Sequence, residues 1–143
     1  MIKIEFPPYQ PKIKKEKGKE LIFDEVRKSW IILTPEEWVR QNFLKYLIGI
    51  KKYPASLIAV EKEIYLGELK KRCDIVVYKN SMPWMIVECK EMKEELNEQV
   101  IKQILNYHTT LQVNFLVVTN GEYTYAVEIN KPSYKWLDEL PEF

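Results

Sequence analysis

Charged side chains set into apolar strand sequence limit this chain more than any other feature. In Arg72-Cys73-Asp74-Ile75-Val76-Val77 an aspartate heads a β-branched run, and Ile86-Val87-Glu88-Cys89-Lys90 ends a second apolar run on acid-x-lysine. Successive side chains of a strand point to opposite faces, so Glu88 and Lys90 share one. If residues 79–83 turn back as a hairpin, Asp74 lies across from them on that face, and Cys73 and Cys89 point to the other. Such charges are costly among Ile, Val and Trp unless they are paired or bind a metal. Two readings fit the residues alone. In one, Lys90 pairs with Glu88 or Asp74 as a salt bridge at a solvated strand edge. In the other, the two carboxylates repel and a divalent cation removes the repulsion. Mg²⁺ suits the second reading, because it takes one or two carboxylates and fills its shell with water and phosphate oxygens. It would polarise a phosphodiester and acidify a bound water, and Lys90 would orient or deprotonate that water and offset phosphate charge.

The surrounding pattern predicts an α/β protein: a mixed central sheet with helices packed on it, and a small hairpin in front. Leu21–Phe23 and Trp30–Leu33 read as two short strands. Thr34-Pro35-Glu36-Glu37 starts a helix, with Thr34 as cap, Pro35 in the first position and Glu37 where a capping box places its acid. The helix runs to about Ile48, with Trp38, Val39, Phe43, Leu44, Leu47 and Ile48 on its apolar face. Strands are expected at 57–65, 71–78 and 84–90, with a turn at Gly67. A helix follows over 96–111, then a buried strand at 113–119, the Asn120-Gly121 turn, and a partner strand at 123–129. Trp136–Leu140 adds at most a short final turn. Trp30, Trp38 and Trp84 read as core, and His108, the only histidine, as a surface or interface residue of its helix.

The 143 residues suit one domain, taken as 20–143, behind an extended basic arm over 1–19. The arm holds Lys3, Lys12, Lys14, Lys15, Lys17 and Lys19 against Glu5 and Glu16, although the whole chain carries only +1. It reads either as a solvated flexible tail or as a segment lying along a phosphate backbone. No apolar run approaches the roughly 20 residues of a membrane span. The start does not read as a signal peptide. The two cysteines fit no zinc spacing. A cytoplasmic location is the default expectation. No Gly-x-x-x-x-Gly-Lys phosphate loop is present.

Five stretches occur together and in order: Leu33–Gln41, Lys71–Tyr78, Ile86–Lys90, Gln103–Tyr107 and Val118–Gly121. With them the chain resembles the PD-(D/E)xK nucleases and, more narrowly, a stand-alone bacterial form of the N-terminal nuclease domain of type I restriction enzyme restriction subunits. Cys73 stands where that superfamily has its often-absent proline. The resemblance implies a restriction-endonuclease-like core and a Mg²⁺-dependent DNA endonuclease, with Mn²⁺ able to substitute and products ending in 5′-phosphate and 3′-hydroxyl. It implies Asp74, Glu88 and the Cys89 carbonyl as metal ligands and Lys90 as the catalytic lysine. Glu37 is the acid expected from the first helix, with Glu36 as the alternative. Gln103 and Tyr107, four apart on one helix face, would position DNA. The rival expectations are a catalytically silent DNA-binding or protein-interaction module of the same fold, and a nuclease subunit active only in a larger restriction or repair complex; DNA is the expected partner, with a homodimer or larger complex as a further expectation.

Overall fold

The computed structural model describes residues 1–66, 68–107 and 112–143. Gly67, His108 and Leu111 lie outside the described residues, as does the side chain of Tyr107. The architecture is mixed α/β. A three-stranded antiparallel sheet, β1 (Ile13–Glu16), β2 (Lys19–Asp24) and β3 (Ser29–Ile32), precedes α1 (Pro35–Lys45). A six-stranded sheet then runs in sequence order: β4 (Ile58–Leu66), β5 (Leu69–Lys79), β6 (Met82–Cys89), β7 (Phe115–Thr119), β8 (Thr124–Asn130) and β9 (Ser133–Trp136). Helix α2 (Glu98–Tyr107) joins β6 to β7, the one parallel pair; every other pair is antiparallel.

Local chemistry accounts for the elements that place the site. The Thr34 hydroxyl accepts the Glu37 N–H at 3.0 Å, and Pro35 follows with no N–H to satisfy, so α1 starts at Pro35. Past Lys45 the helix widens into a π-helical turn, Tyr46–Ile50. Residues 79–83 do form a hairpin: Lys79 pairs with Met82, and Asn80 and Ser81 both have positive φ, as a two-residue turn requires. One apolar cluster gathers Val39, Phe43 and Leu44 of α1 and Leu47 of the π-helical turn with Ile75, Val77, Val87, Cys89 and Val117. The other gathers Ile101 of α2 with Cys73, Val76, Ile86, Leu116, Val118 and Val127. The six-stranded sheet is therefore covered by α1 on one face and α2 on the other.

Several expectations change. Residues 1–19 are not all extended arm. Ile2 bridges to Thr124, Ile4 and Phe6 pack on the α1-side core, Tyr9 stacks on Trp38, and 13–16 is strand β1. The small hairpin is thus a three-stranded sheet. Trp30 is not core: it is 38% exposed, because its strand turns that side away from the body while Ile22, on the other side, is fully buried. Ser133–Trp136 forms β9 against β8, an unexpected strand that reaches only the first residue of the 136–140 tail. No helix among the described residues is long and apolar enough to cross a membrane.

Candidate active site

Asp74 sits where the ladder of the sheet is broken. On the β4 side, Val60 pairs with Ile75 and Lys62 with Cys73, but no pair forms between Glu61 and Asp74, and Glu61 has φ +55°. On the β6 side, regular pairing stops at Ile75 and Val87. Beyond it, the Asp74 carboxylate takes the place of backbone: its Oδ2 accepts the Cys89 N–H at 2.8 Å. A regular strand would put Cys73 and Ile75 on the same face. Here Ile75 enters the α1-side core and Cys73 the α2-side core. The expectation that Cys73 and Cys89 share the face opposite the site is therefore corrected. They pack in different cores, because the irregularity at Glu61 and Asp74 breaks the alternation of β5.

Above Asp74 lies a network centred on Arg40, a buried residue of α1. Arg40 Nη2 donates to Asp74 Oδ1 at 2.8 Å and pairs with Glu61 Oε1 at 2.6 Å and, more loosely, with Glu36 Oε1 at 3.3 Å. Arg40 Nη1 donates to Glu37 Oε1 at 2.6 Å. Glu61 also pairs with Arg72. Glu37 is 4% exposed, and its other oxygen accepts from Arg27 Nη2 at 2.8 Å and Gln41 Nε2 at 2.9 Å. Arg27 and Gln41 also hold the fully buried Asp24, so the end of β2 is tied to α1. Both oxygens of Glu37 are thus occupied inside the fold. Glu36, half of whose side chain is exposed, instead faces the site: burial raises its pKa, the Asp74 charge raises it further, and Arg40 and Lys90 oppose the rise.

Glu88 lies between Val87 and Cys89, both in the α1-side core, so alternation turns it towards the α2 side. Lys71 Nζ is 3.2 Å from its Oε1. Burial raises the Glu88 pKa and the Asp74 charge adds to it, while Lys71 and Lys90 lower it. The charges of Asp74 and Lys90 thus reach both Glu88 and Glu36, but Asp74 is held by Arg40 of α1 while Glu88 turns to the α2 side, so the expectation that Asp74 lies across from Glu88 and Lys90 on one sheet face is corrected. The start of the Lys90 segment is fixed by its N–H, which donates to the Thr119 carbonyl at 2.8 Å. Asn120, 2% exposed, braces the same corner: its Nδ2 donates to the Glu94 carbonyl, and its Oδ1 accepts the N–H groups of Glu122 and Tyr123. Burial pushes the Cys89 thiol well up, so it stays a neutral packing group.

Among the described residues no group of three or more His, Cys, Asp or Glu side chains is arranged to hold a metal ion. The donors nevertheless fit Mg²⁺, which needs only one or two protein carboxylates. Asp74 and Glu88 are hard oxygen donors, and each Asp74 oxygen spends one lone pair and keeps another. Gln103 stands exposed on α2, and Lys12, Lys14, Lys15, Lys17 and Lys19 are all exposed on the small sheet and its turn. Arg40 and Glu61 are the residues that sequence reasoning missed. Arg40 lies within the Leu33–Gln41 stretch but draws no notice as one more helix cation, and Glu61 reads as an ordinary strand position.

A mixed sheet between two helices, with acids and a lysine gathered at the broken end of a central hairpin, defines the class of this domain. The chain belongs to the family described as type I restriction enzyme R protein N terminus, which it matches over residues 35–141. No curated protein and no solved structure matches it.

Proposed function

We propose that this chain is a Mg²⁺-dependent DNA phosphodiesterase with a restriction-endonuclease-like core of the PD-(D/E)xK type. The observation that carries the reading is the bond from the Cys89 N–H to Asp74 Oδ2 at 2.8 Å, which brings Asp74 against the Glu88–Lys90 segment at the open end of β5 and β6, in a chain of a restriction-enzyme family. Asp74, Glu88 and the Cys89 carbonyl would hold the ion, and Mn²⁺ would serve as well. The ion supplies Lewis-acid polarisation of the phosphodiester and a more acidic water. Lys90, an ammonium with donors only, orients the attacking water and offsets charge on the phosphate oxygens. Glu36, rather than Glu37, is the helix acid in this reading, because it faces Asp74 and Lys90 while Glu37 is consumed by Arg27, Arg40 and Gln41. Arg40 acts through Asp74: by fixing Oδ1 it keeps Oδ2 on the Cys89 N–H. Gln103 and Tyr107 would position the DNA backbone. In-line attack of water would leave 5′-phosphate and 3′-hydroxyl ends, with activity either alone or within a larger restriction complex.

A titration of Mg²⁺ and Mn²⁺ against supercoiled, linear and branched DNA tests this. Wild-type protein should cut at least one form only with metal, and Asp74→Asn should not. A second reading has its own support: Arg40 and the Cys89 N–H occupy both oxygens of Asp74, and Lys71 pairs with Glu88, so the charges are satisfied without an ion. That arrangement suits a silent DNA-binding or protein-interaction module. Metal-independent DNA binding with no cleavage of any form would select it.

A further inference from the structure

The outer face of the β1–β2–β3 sheet has a composition that the proposed active site does not use. Partners across an antiparallel ladder share a face, so the register sorts the side chains. Lys14, Leu21 and Ile32 form one outward row; Phe23 and Trp30 form the next, joined by Lys12, whose carbonyl accepts the Phe23 N–H. Glu16 and Lys19 complete the face. The inward side carries Ile22, fully buried. On the outward side Trp30 is 38% and Ile32 50% exposed, and the Phe23 ring meets Trp30 edge-on with centroids 5.3 Å apart. Lys14 Nζ lies 4.4 Å from the centre of the Trp30 ring, and Lys12 Nζ lies 5.7 Å from that of Phe23.

Water-facing aromatic and aliphatic side chains on a sheet mark an interaction surface. Charge selects the occupant: three lysines stand against one glutamate, so a polyanion fits. An aromatic face interleaved with lysines matches the two needs of a nucleic acid strand, stacking for bases and cations for phosphates. A duplex keeps its base faces covered and offers Trp30 nothing to stack on; unpaired bases do. We propose that this face is a platform for single-stranded nucleic acid, on which Trp30 stacks a base while Lys12 and Lys14 take neighbouring phosphates. In the free protein Lys14 rests over the ring and pairs with Glu16 Oε2 at 3.2 Å, an exposed pair of little strength, and its flexible stem lets the ammonium move to a phosphate when a base takes its place. The platform is not a loose appendage. Asp24 at the end of β2 is held by Arg27 and Gln41, which also hold Glu37, the neighbour of Glu36 on α1. The sheet that carries the platform is thereby anchored to the same helix that bears Glu36. This deepens the nuclease reading by naming unpaired polynucleotide as a substrate feature, and it rests on that reading only for the link to cleavage.

The test is fluorescence anisotropy of a labelled oligothymidylate and of a blunt duplex of equal length, in EDTA so that no metal contributes. Wild type should bind the oligothymidylate more tightly than the duplex. Trp30→Ala should weaken that binding by about 5- to 150-fold, the usual scale for loss of one base–aromatic stack. Lys14→Gln should flatten the dependence of log affinity on log salt by about 0.7. Should Trp30→Ala not fold, the salt slopes of Lys12→Gln and Lys14→Gln decide. An unchanged affinity in folded Trp30→Ala, or unchanged slopes in both lysine variants, overturns the platform. Absence of binding to either probe also overturns it and leaves the face to a protein partner. Cleavage is scored separately. Trp30-dependent binding without cleavage sinks the reading of this chain as a nuclease active by itself and keeps the platform, whereas metal-dependent cleavage with Trp30-independent binding does the reverse.

Discussion

Replacing Arg40 by Gln should cost this protein about 3 kcal/mol of stability, the lower end of the range for removing one partner of a buried ion pair. The lower end applies because no carboxylate is left wholly without a donor. Without the guanidinium, Glu37 keeps Arg27 and Gln41, Asp74 keeps the Cys89 N–H, and Glu61 keeps Arg72. What is lost is a cation that bridges α1 to β4 and β5 from a side chain only 5% exposed. For a chain of this length, 3 kcal/mol corresponds to a fall in melting temperature of about 10 °C. Arg40→Lys should lie between the two, since a single ammonium cannot reproduce a fork that reaches Glu37 with Nη1 and Asp74 with Nη2. Thermal and urea unfolding by circular dichroism in EDTA at neutral pH provide the measure. A loss below about 1 kcal/mol would put Arg40 among the weak surface pairs and refute the account of it as the clamp on Asp74.

The two helix acids should separate cleanly: Glu37→Gln should lower the melting temperature with metal absent, whereas Glu36→Gln should leave it within a degree or two and reduce turnover. Equal melting temperatures for both would undo that division. Lys90→Ala should retain the rise in melting temperature that Mn²⁺ gives the wild type but lose cleavage by at least ~100-fold, whereas Asp74→Asn should lose both; a Mn²⁺ shift surviving in Asp74→Asn would place the ion elsewhere. Asp24 supplies a pH prediction. Burial pushes its pKa up, but hydrogen bonds from Arg27 and Gln41 and the Arg27 charge outweigh that, so its pKa ends below the ordinary 3.8. A depressed folded-state pKa contributes stability that is present above the unfolded value and lost as pH falls through the folded one. Wild type should therefore lose unfolding free energy as pH drops below about 4 more steeply than Asp24→Asn; parallel curves would remove Asp24 from the acid response.

What could be read from the sequence was local chemistry. Thr34 and Pro35 announce α1, the Lys79–Met82 turn follows from short-range patterning, and Val117 and Val118 sit in a run that only a buried strand explains. Strand β1 escaped because all four of its residues are exposed and three are charged. Strand β9 escaped for a related reason: Ser133, Tyr134 and Lys135 lie exposed at the sheet edge, so no apolar alternation marks them. Trp30 was misassigned because hydrophobicity reports what a side chain prefers, not which face of a two-sided sheet it occupies. The site was half legible. Asp74, Glu88 and Lys90 stand out as charges amid apolar sequence, but the Arg40 network joins residues 34 positions apart, and no spacing rule reaches that far. The positive φ at Glu61 is likewise invisible, since nothing in the residue type asks for it.

The crossover through α2 has a consequence for how the molecule comes into being. Four of the five pairings in the large sheet are antiparallel hairpins between consecutive strands, and such hairpins close in microseconds. Only β6 and β7 must find each other across about 30 intervening positions, a loop closure whose entropy is spent before any contact repays it. The Lys90 N–H to Thr119 bond prolongs that late pairing. The acid–lysine end of β6 should therefore be among the last parts to order. A chain emerging from the ribosome would carry folded hairpins while chemically silent, acquiring its charged centre only once β7 has docked.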